Sequence, residues 1–81
     1  MPLYKHKLVM YDNDVYDFGT IIDSISFVCN MHSMAAEQIA TITNDKGSCV
    51  IKEGSKVKLT KLQKELREVL PHLDTEIVKE D

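Results

Sequence analysis

A chain of 81 residues can form one compact core and no more, so residues 1–81 are expected to be a single domain. Hydrophobic residues make up 43% of the sequence and charged residues 28%, a balance that excludes an intrinsically disordered chain. The net charge of −3 disfavours nucleic acid as a partner, because nonspecific affinity for phosphate backbones comes from lysine and arginine.

The first predicted elements are a strand and a helix. Residues 4–11 alternate in the manner of a strand, with Leu8 and Met10 on the same face. The short polar side chains of residues 12–14 favour a turn, which ends the strand. Asp17 is a suitable N-cap for a helix whose apolar residues recur at spacings of three and four.

The middle of the chain predicts a second helix and a second strand. Ser33 can cap a helix that ends near Asn44, with Gly47 just beyond it. Residues 48–52 then form a short β-favouring run that lies between two glycines.

A third helix and a third strand complete the chain. Thr60 and Gln63 have the spacing of a capping box, and an apolar stripe opposite a basic face continues to Pro71. Residues 73–79 alternate as a final strand. The order β-α-α-β-α-β predicts an α+β fold, a two-layer sandwich in which three helices cover one face of a three-stranded sheet.

Membrane and export signals are not evident. The N-terminus lacks the apolar stretch of a signal peptide, and the uncharged run that begins at Ser24 and ends before Glu37 is too short and too polar to span a bilayer. We therefore expect a cytoplasmic protein without a membrane partner.

The densest polar cluster lies between the first strand and the first helix. Its structural interpretation is a turn followed by an N-cap. Two carboxylates could instead hold a metal, but the calcium-loop pattern requires a glycine where Asp17 stands, and the three histidines are too scattered for a zinc motif. We expect no metal site. The cluster consists of Asp12, Asn13, Asp14 and Asp17.

Catalytic motifs are missing as well. No serine lies in a GxSxG motif, no glycine-rich phosphate loop occurs, and the sequence reveals no partner histidine for Cys29 or Cys49. We expect two unreactive thiols, no cofactor and no enzymatic activity. An enzyme that uses Asp12 and Asp14 as acid and base is the weakest hypothesis.

Positive charge is concentrated between Lys52 and Arg67. Because Glu65 and Glu68 are interleaved with the basic residues of the third helix, a solvated helix face explains most of this charge. The alternative interpretation is a docking face for an acidic surface of a partner.

Two segments resemble a known family. Residues 7–18 resemble the part of ClpS proteins in which a strand continues into an Asn-Asp-acidic turn and then a helix. Residues 36–49 resemble the family's second helix, which continues into a His-x-x-Gly turn and a strand. Together with the order of elements, the resemblance covers residues 5–78.

The resemblance implies an adaptor without catalytic activity. ClpS proteins bind the N-terminal residue of a substrate protein and transfer the substrate to the AAA+ unfoldase of the Clp protease. The implied partners are therefore the N-terminal segments of substrate proteins and a Clp AAA+ chaperone of the ClpA or ClpC type, and the implied state is a monomer. An α-ammonium group has three donors and one charge, so a pocket that buries it needs several acceptors beside an apolar hole.

Position by position, the resemblance implies an amine-binding group. Asp12 stands at the family's asparagine, Asn13 at its aspartate and Asp14 at the next acidic position, so the amide and the carboxylate are exchanged. Asn44 stands at the family's histidine. Its amide oxygen can accept a hydrogen bond, but it does not titrate near neutrality.

The resemblance also implies an apolar pocket beside the amine-binding group. Tyr16 replaces a small polar residue there, and Ala40 replaces a larger apolar one, so the pocket should differ in shape from that of the family. The implied pocket residues are Met10, Tyr16, Phe18, Ile21, Ala40 and Thr43.

The alternative function is that of a diverged ClpS-like interaction domain that has lost recognition of the N-terminal amine. The replaced histidine favours this hypothesis. We expect the family's N-terminal arm, which takes part in substrate delivery, to be almost absent, since the first strand is predicted to begin near Tyr4.

Overall fold

The computed structural model describes residues 5–12 and 14–79. Within these residues the order of elements is β-α-α-β-α-β, which confirms the predicted α+β fold. The elements are β1 (His6–Tyr11), α1 (Phe18–Val28), α2 (Ser33–Lys46), β2 (Ser48–Gly54), α3 (Lys56–Val69) and β3 (Thr75–Lys79). None of the helices in this part of the chain is long and apolar enough to cross a membrane.

The sheet has β1 at its centre. Both β2 and β3 pair with β1 in antiparallel orientation, which gives the strand order β2-β1-β3. A bulge occurs where Leu8 pairs with Lys52 and Val9 pairs with Val50, so Ile51 is an extra residue in β2. Ile51 is buried and belongs to the core.

The core lies between the sheet and the helices. The alternation in β1 buries Leu8 and Met10 completely, as predicted, whereas Tyr4 lies outside the described residues. Helix α3 packs against all three strands, α2 packs against β2, and α1 packs against α2 and α3. The helices contribute Ile25, Ala36, Leu59 and Leu66 to the core, and the residues after α1 and α3 contribute Cys29, Leu70 and Leu73.

The predicted capping box at Thr60 was wrong, because α3 starts before that residue. The helix begins at Lys56, because the hydroxyl of Ser55 accepts a hydrogen bond from the Lys58 N–H at 3.3 Å and caps the helix one turn earlier. Thr60 lies inside the helix, where its hydroxyl donates to the Lys56 carbonyl at 2.7 Å.

Helix α2 also starts and ends differently from the prediction. Its N-cap is His32 and not Ser33, since the Nδ1 atom of His32 accepts a hydrogen bond from the Met34 N–H at 3.1 Å. The helix continues past Asn44 until Gly47, whose left-handed φ of 92° ends it.

The last two strands also have shifted limits. Strand β2 extends beyond the predicted residues 48–52 to Gly54. Strand β3 begins at Thr75 and not at residue 73, because Leu73 is buried in the turn after α3 and its N–H donates to the Leu70 carbonyl at 3.1 Å.

Candidate binding pocket

A backbone hydrogen bond holds the end of β1 beside the end of α2. The Asp12 N–H donates to the Gly47 carbonyl at 2.9 Å, and the Gly47 N–H donates to the Thr43 carbonyl at 2.8 Å. These two bonds place Asp12, which directly follows β1, next to the last turn of α2, where Asn44 lies.

On the other side of the site, the chain enters α1 through its N-cap residue, Asp17. The Asp17 carboxylate accepts a hydrogen bond from the Thr20 N–H at 2.7 Å, as the predicted cap requires. Hydrogen bonding with the Thr20 side chain, together with this bond from its N–H, lowers the pKa of Asp17. Because Asp17 is engaged in capping, the acidic groups of this loop that remain for a ligand are Asp12 and Asp14.

These segments enclose a cavity of about 200 Å³. It contains nine of the ten residues that the sequence assigned to the site; Asn13 lies outside the described residues. Tyr11 lines it too. The lining residues are Met10, Tyr11, Asp12, Asp14, Tyr16, Phe18, Ile21, Ala40, Thr43 and Asn44.

One part of the cavity is apolar. Met10, Ala40 and Thr43 are buried, and Thr43 uses its hydroxyl proton to donate to the Ile39 carbonyl at 2.8 Å. Phe18 is 44% exposed and Ile21 is half-buried, so these two side chains lie nearer the rim. The arrangement can bury a short apolar side chain.

The polar part of the cavity carries negative charge. Asp12, Asp14 and Asn44 are exposed there, and none of the residues known to line the cavity is basic. Carboxylate and amide oxygens at a partly enclosed site favour a ligand that is a cation with several N–H donors.

Tyr16 connects the loop before α1 to the turn after α3. Its ring packs against the core, and its hydroxyl oxygen accepts a hydrogen bond from the His72 N–H at 2.8 Å. His72 lies in the turn between α3 and β3. The loop before α1 is therefore joined to the far end of α3.

The sequence did not indicate Tyr11 as a pocket residue. Strand alternation places Tyr11 on the face opposite Met10, and no motif distinguishes it. Its hydroxyl donates to the Glu76 carboxylate at 2.8 Å, and this bond raises the pKa of the Tyr11 phenol. Its N–H donates to the Asp74 carbonyl at 2.9 Å, so the last residue of β1 is tied to β3.

Metal-ligand clusters and free thiols are the other groups that could carry chemistry in this fold. In the part of the chain that the structure describes, no three histidine, cysteine or acidic side chains form a metal-binding group. Cys29 and Cys49 are free thiols, and burial raises the pKa of both.

Comparisons with known proteins place these observations in a family. Residues 2–72 match the family model described as ATP-dependent Clp protease adaptor protein ClpS. Among solved structures, the chain is similar to Agrobacterium tumefaciens ClpS2 bound to L-phenylalaninamide, with a TM-score of 0.91 and 13% sequence identity. That match covers 98% of this chain and 100% of ClpS2, and at this identity it establishes the fold. None of the curated proteins matches the chain.

Proposed function

The chain belongs to the ClpS family of ATP-dependent Clp protease adaptors, and we propose from this premise that its pocket binds the N-terminal residue of substrate proteins. The observation that carries the proposal is the meeting of acidic and amide groups with an apolar wall in one cavity. An α-amine and the first side chain of a polypeptide lie on the same Cα atom, so a single cavity with these two parts fits both.

In the proposed complex, Asp12 and Asp14 balance the charge of the α-ammonium group and Asn44 accepts one of its hydrogen bonds. Asn13 belongs to the same amine-binding group by its position in the sequence. The first side chain enters between Met10 and Ala40. ClpS2, which shares the fold, was solved with L-phenylalaninamide, a molecule that has a free α-amine beside an aromatic side chain.

The test is a binding titration with a fluorescent peptide that begins with Phe, beside the same peptide with an acetylated N-terminus. We expect saturable binding that acetylation abolishes. Asp12→Asn and Asp14→Asn should each weaken binding by about tenfold, because a hydrogen bond to a charged group contributes roughly 1.5 kcal/mol or more. Asp23→Asn is the matched control, since Asp23 is exposed on α1 and does not line the cavity.

Two results would count against amine recognition. Equal affinities for the free and the acetylated peptide would show that the protein does not recognise the charged N-terminus. Absence of binding to peptides that begin with Phe, Leu, Tyr or Trp, while circular dichroism shows a folded protein, would favour the diverged interaction domain.

The proposed second partner is a Clp AAA+ chaperone of the ClpA or ClpC type, to which the adaptor presents its substrate. Size-exclusion chromatography of the purified chain with each chaperone tests this interaction directly. A complex that forms with wild type and with Asp12→Asn alike would place the chaperone surface outside the pocket. A complex without any amine-dependent peptide binding would again support the diverged interaction domain.

A further inference from the structure

The size of the cavity restricts the side chains that it can hold. An apolar cavity of about 150 Å³ can bind benzene, and the cavity here measures about 200 Å³ including its polar part. This space is sufficient for one aromatic ring or a branched aliphatic side chain. The two fused rings of tryptophan extend further than a single ring, so they fit only where the walls leave room or can move.

Tyr16 is a wall residue whose side chain is held at both its ring and its hydroxyl. Its ring packs against the core, and its hydroxyl oxygen is held by the His72 N–H at 2.8 Å. The turn that carries His72 is itself constrained, because Pro71 fixes its own φ angle and Leu73 beside it is buried. Movement of the Tyr16 ring away from the cavity would break the hydrogen bond and expose apolar surface.

Phe18, another aromatic residue of the wall, lacks such an anchor. Phe18 is 44% exposed and has no polar group in its side chain, so it can change rotamer at the rim. Ala40 presents only a methyl group and is buried on α2. The width of the cavity is therefore determined by Tyr16 more than by either of these residues.

We propose that Tyr16, held by the His72 N–H, is a specificity-determining residue that admits N-terminal side chains up to the size of a single ring and excludes the indole of tryptophan. This inference rests on the proposed function, and it specifies the substrate class of the same pocket. It predicts selection by size, and it requires no contact between Tyr16 and the amine of the ligand.

The experiment measures the affinities of three peptides that differ only in their first residue, Phe, Leu or Trp, each with an acetylated control. The variants are Tyr16→Ser, which removes the wall, and Tyr16→Phe, which keeps the ring and removes the hydrogen bond. Phe27→Ser is the matched control, because Phe27 is 84% exposed on α1 and does not line the cavity. Circular dichroism establishes that each variant is folded.

Wild type should bind the Phe peptide at least about tenfold more tightly than the Trp peptide, because even one methylene group too many changes affinity for an apolar pocket by about tenfold or more. Tyr16→Ser should reduce the ratio of Phe-peptide to Trp-peptide affinity by about tenfold, and Tyr16→Phe should reduce it by a smaller factor. Phe27→Ser should leave the ratio unchanged. If Tyr16→Ser does not fold, the smaller decrease in Tyr16→Phe is the deciding result.

The outcomes separate this inference from the proposed function. One outcome is that the wild type and the Tyr16 variants all bind the Phe peptide through its free amine and have the same ratio of Phe-peptide to Trp-peptide affinity. This result overturns the role of Tyr16 and leaves the proposed function intact. A wild type that prefers Trp does the same. Failure of every free-amine peptide to bind any folded variant overturns both.

Discussion

The backbone N–H of Asp12 donates to the carbonyl oxygen of Gly47 at 2.9 Å. This bond joins the residue after β1 to the C-cap of α2, and it depends on the left-handed conformation of Gly47. The polar part of the pocket is thus built on a glycine that is not itself among the residues lining it.

Replacement of Gly47 by alanine should destabilise the fold by about 1 to 2 kcal/mol, the cost of a left-handed backbone for a residue with a Cβ atom. No atom lies within 4 Å of an added Cβ, so this cost comes from the backbone alone. Urea denaturation measures it. The control is Gly54→Ala, since Gly54 lacks a positive φ; equal stability of the two variants would contradict the prediction.

The N-cap of α1 should make a pH-dependent contribution to stability. Hydrogen bonds with the side chain and the backbone N–H of Thr20 lower the pKa of Asp17 in the folded state. This stabilisation is therefore present above the unfolded pKa of about 3.9 and is lost as the pH falls through the folded pKa. Asp17→Asn keeps a capping oxygen without the charge. Wild type should therefore lose stability relative to Asp17→Asn on acidification below about pH 4.

The measurement is the midpoint of urea unfolding at a series of pH values. Asp17→Ala should have a lower midpoint than wild type at neutral pH, because it has no capping group. Asp23→Ala, on the exposed surface of the same helix, should resemble wild type. Parallel pH profiles for wild type and Asp17→Asn would disprove a role for the charge.

Peptide binding should decrease at alkaline pH. The α-amine of a peptide has a pKa of about 8, and the carboxylates of Asp12 and Asp14 favour its charged form. Affinity should be retained below this pKa and lost as the pH rises through and above it. Fluorescence titrations at several pH values test this expectation, and an affinity that stays constant up to about pH 10 would contradict recognition of an ammonium group.

Asn44→His should introduce a second pH dependence. A neutral imidazole can accept a hydrogen bond from the ligand, whereas an imidazolium cannot accept one and repels the ammonium group. With a histidine pKa of about 6.5, the affinity of the variant relative to wild type should fall by up to about tenfold between pH 7.5 and 5.5. A constant ratio across this range would place the position 44 side chain away from the amine.

Sequence patterns were sufficient for the α+β fold and its order of elements. The alternation around Leu8 and Met10 predicted the buried face of β1, and Asp17 was recognised as a cap because its carboxylate precedes a clear apolar stripe. The residues assigned from the family resemblance lie around one cavity because the turn chemistry at the ends of β1 and α2 brings these segments together.

The helix starts were less predictable, and the reason is competition among polar residues. His32 and Ser33 can both cap α2, and Ser55 and Thr60 both precede apolar residues of α3. Local sequence does not decide between such candidates, because packing of the helix against the sheet selects the cap. Tyr11 was missed because strand alternation places it on the face opposite Met10 and no motif distinguishes it.

The pocket draws on two stretches of the chain, residues 10–21 and 40–44, that are far apart in sequence. It therefore exists only in the folded protein, and a ligand that occupies it cannot bind the unfolded chain in the same way. A free ligand concentration of about a hundred times the dissociation constant would raise the free energy of unfolding by about 2.7 kcal/mol. For the proposed binding of polypeptide N-termini, the melting temperature of this small domain is consequently a direct measure of which N-termini bind.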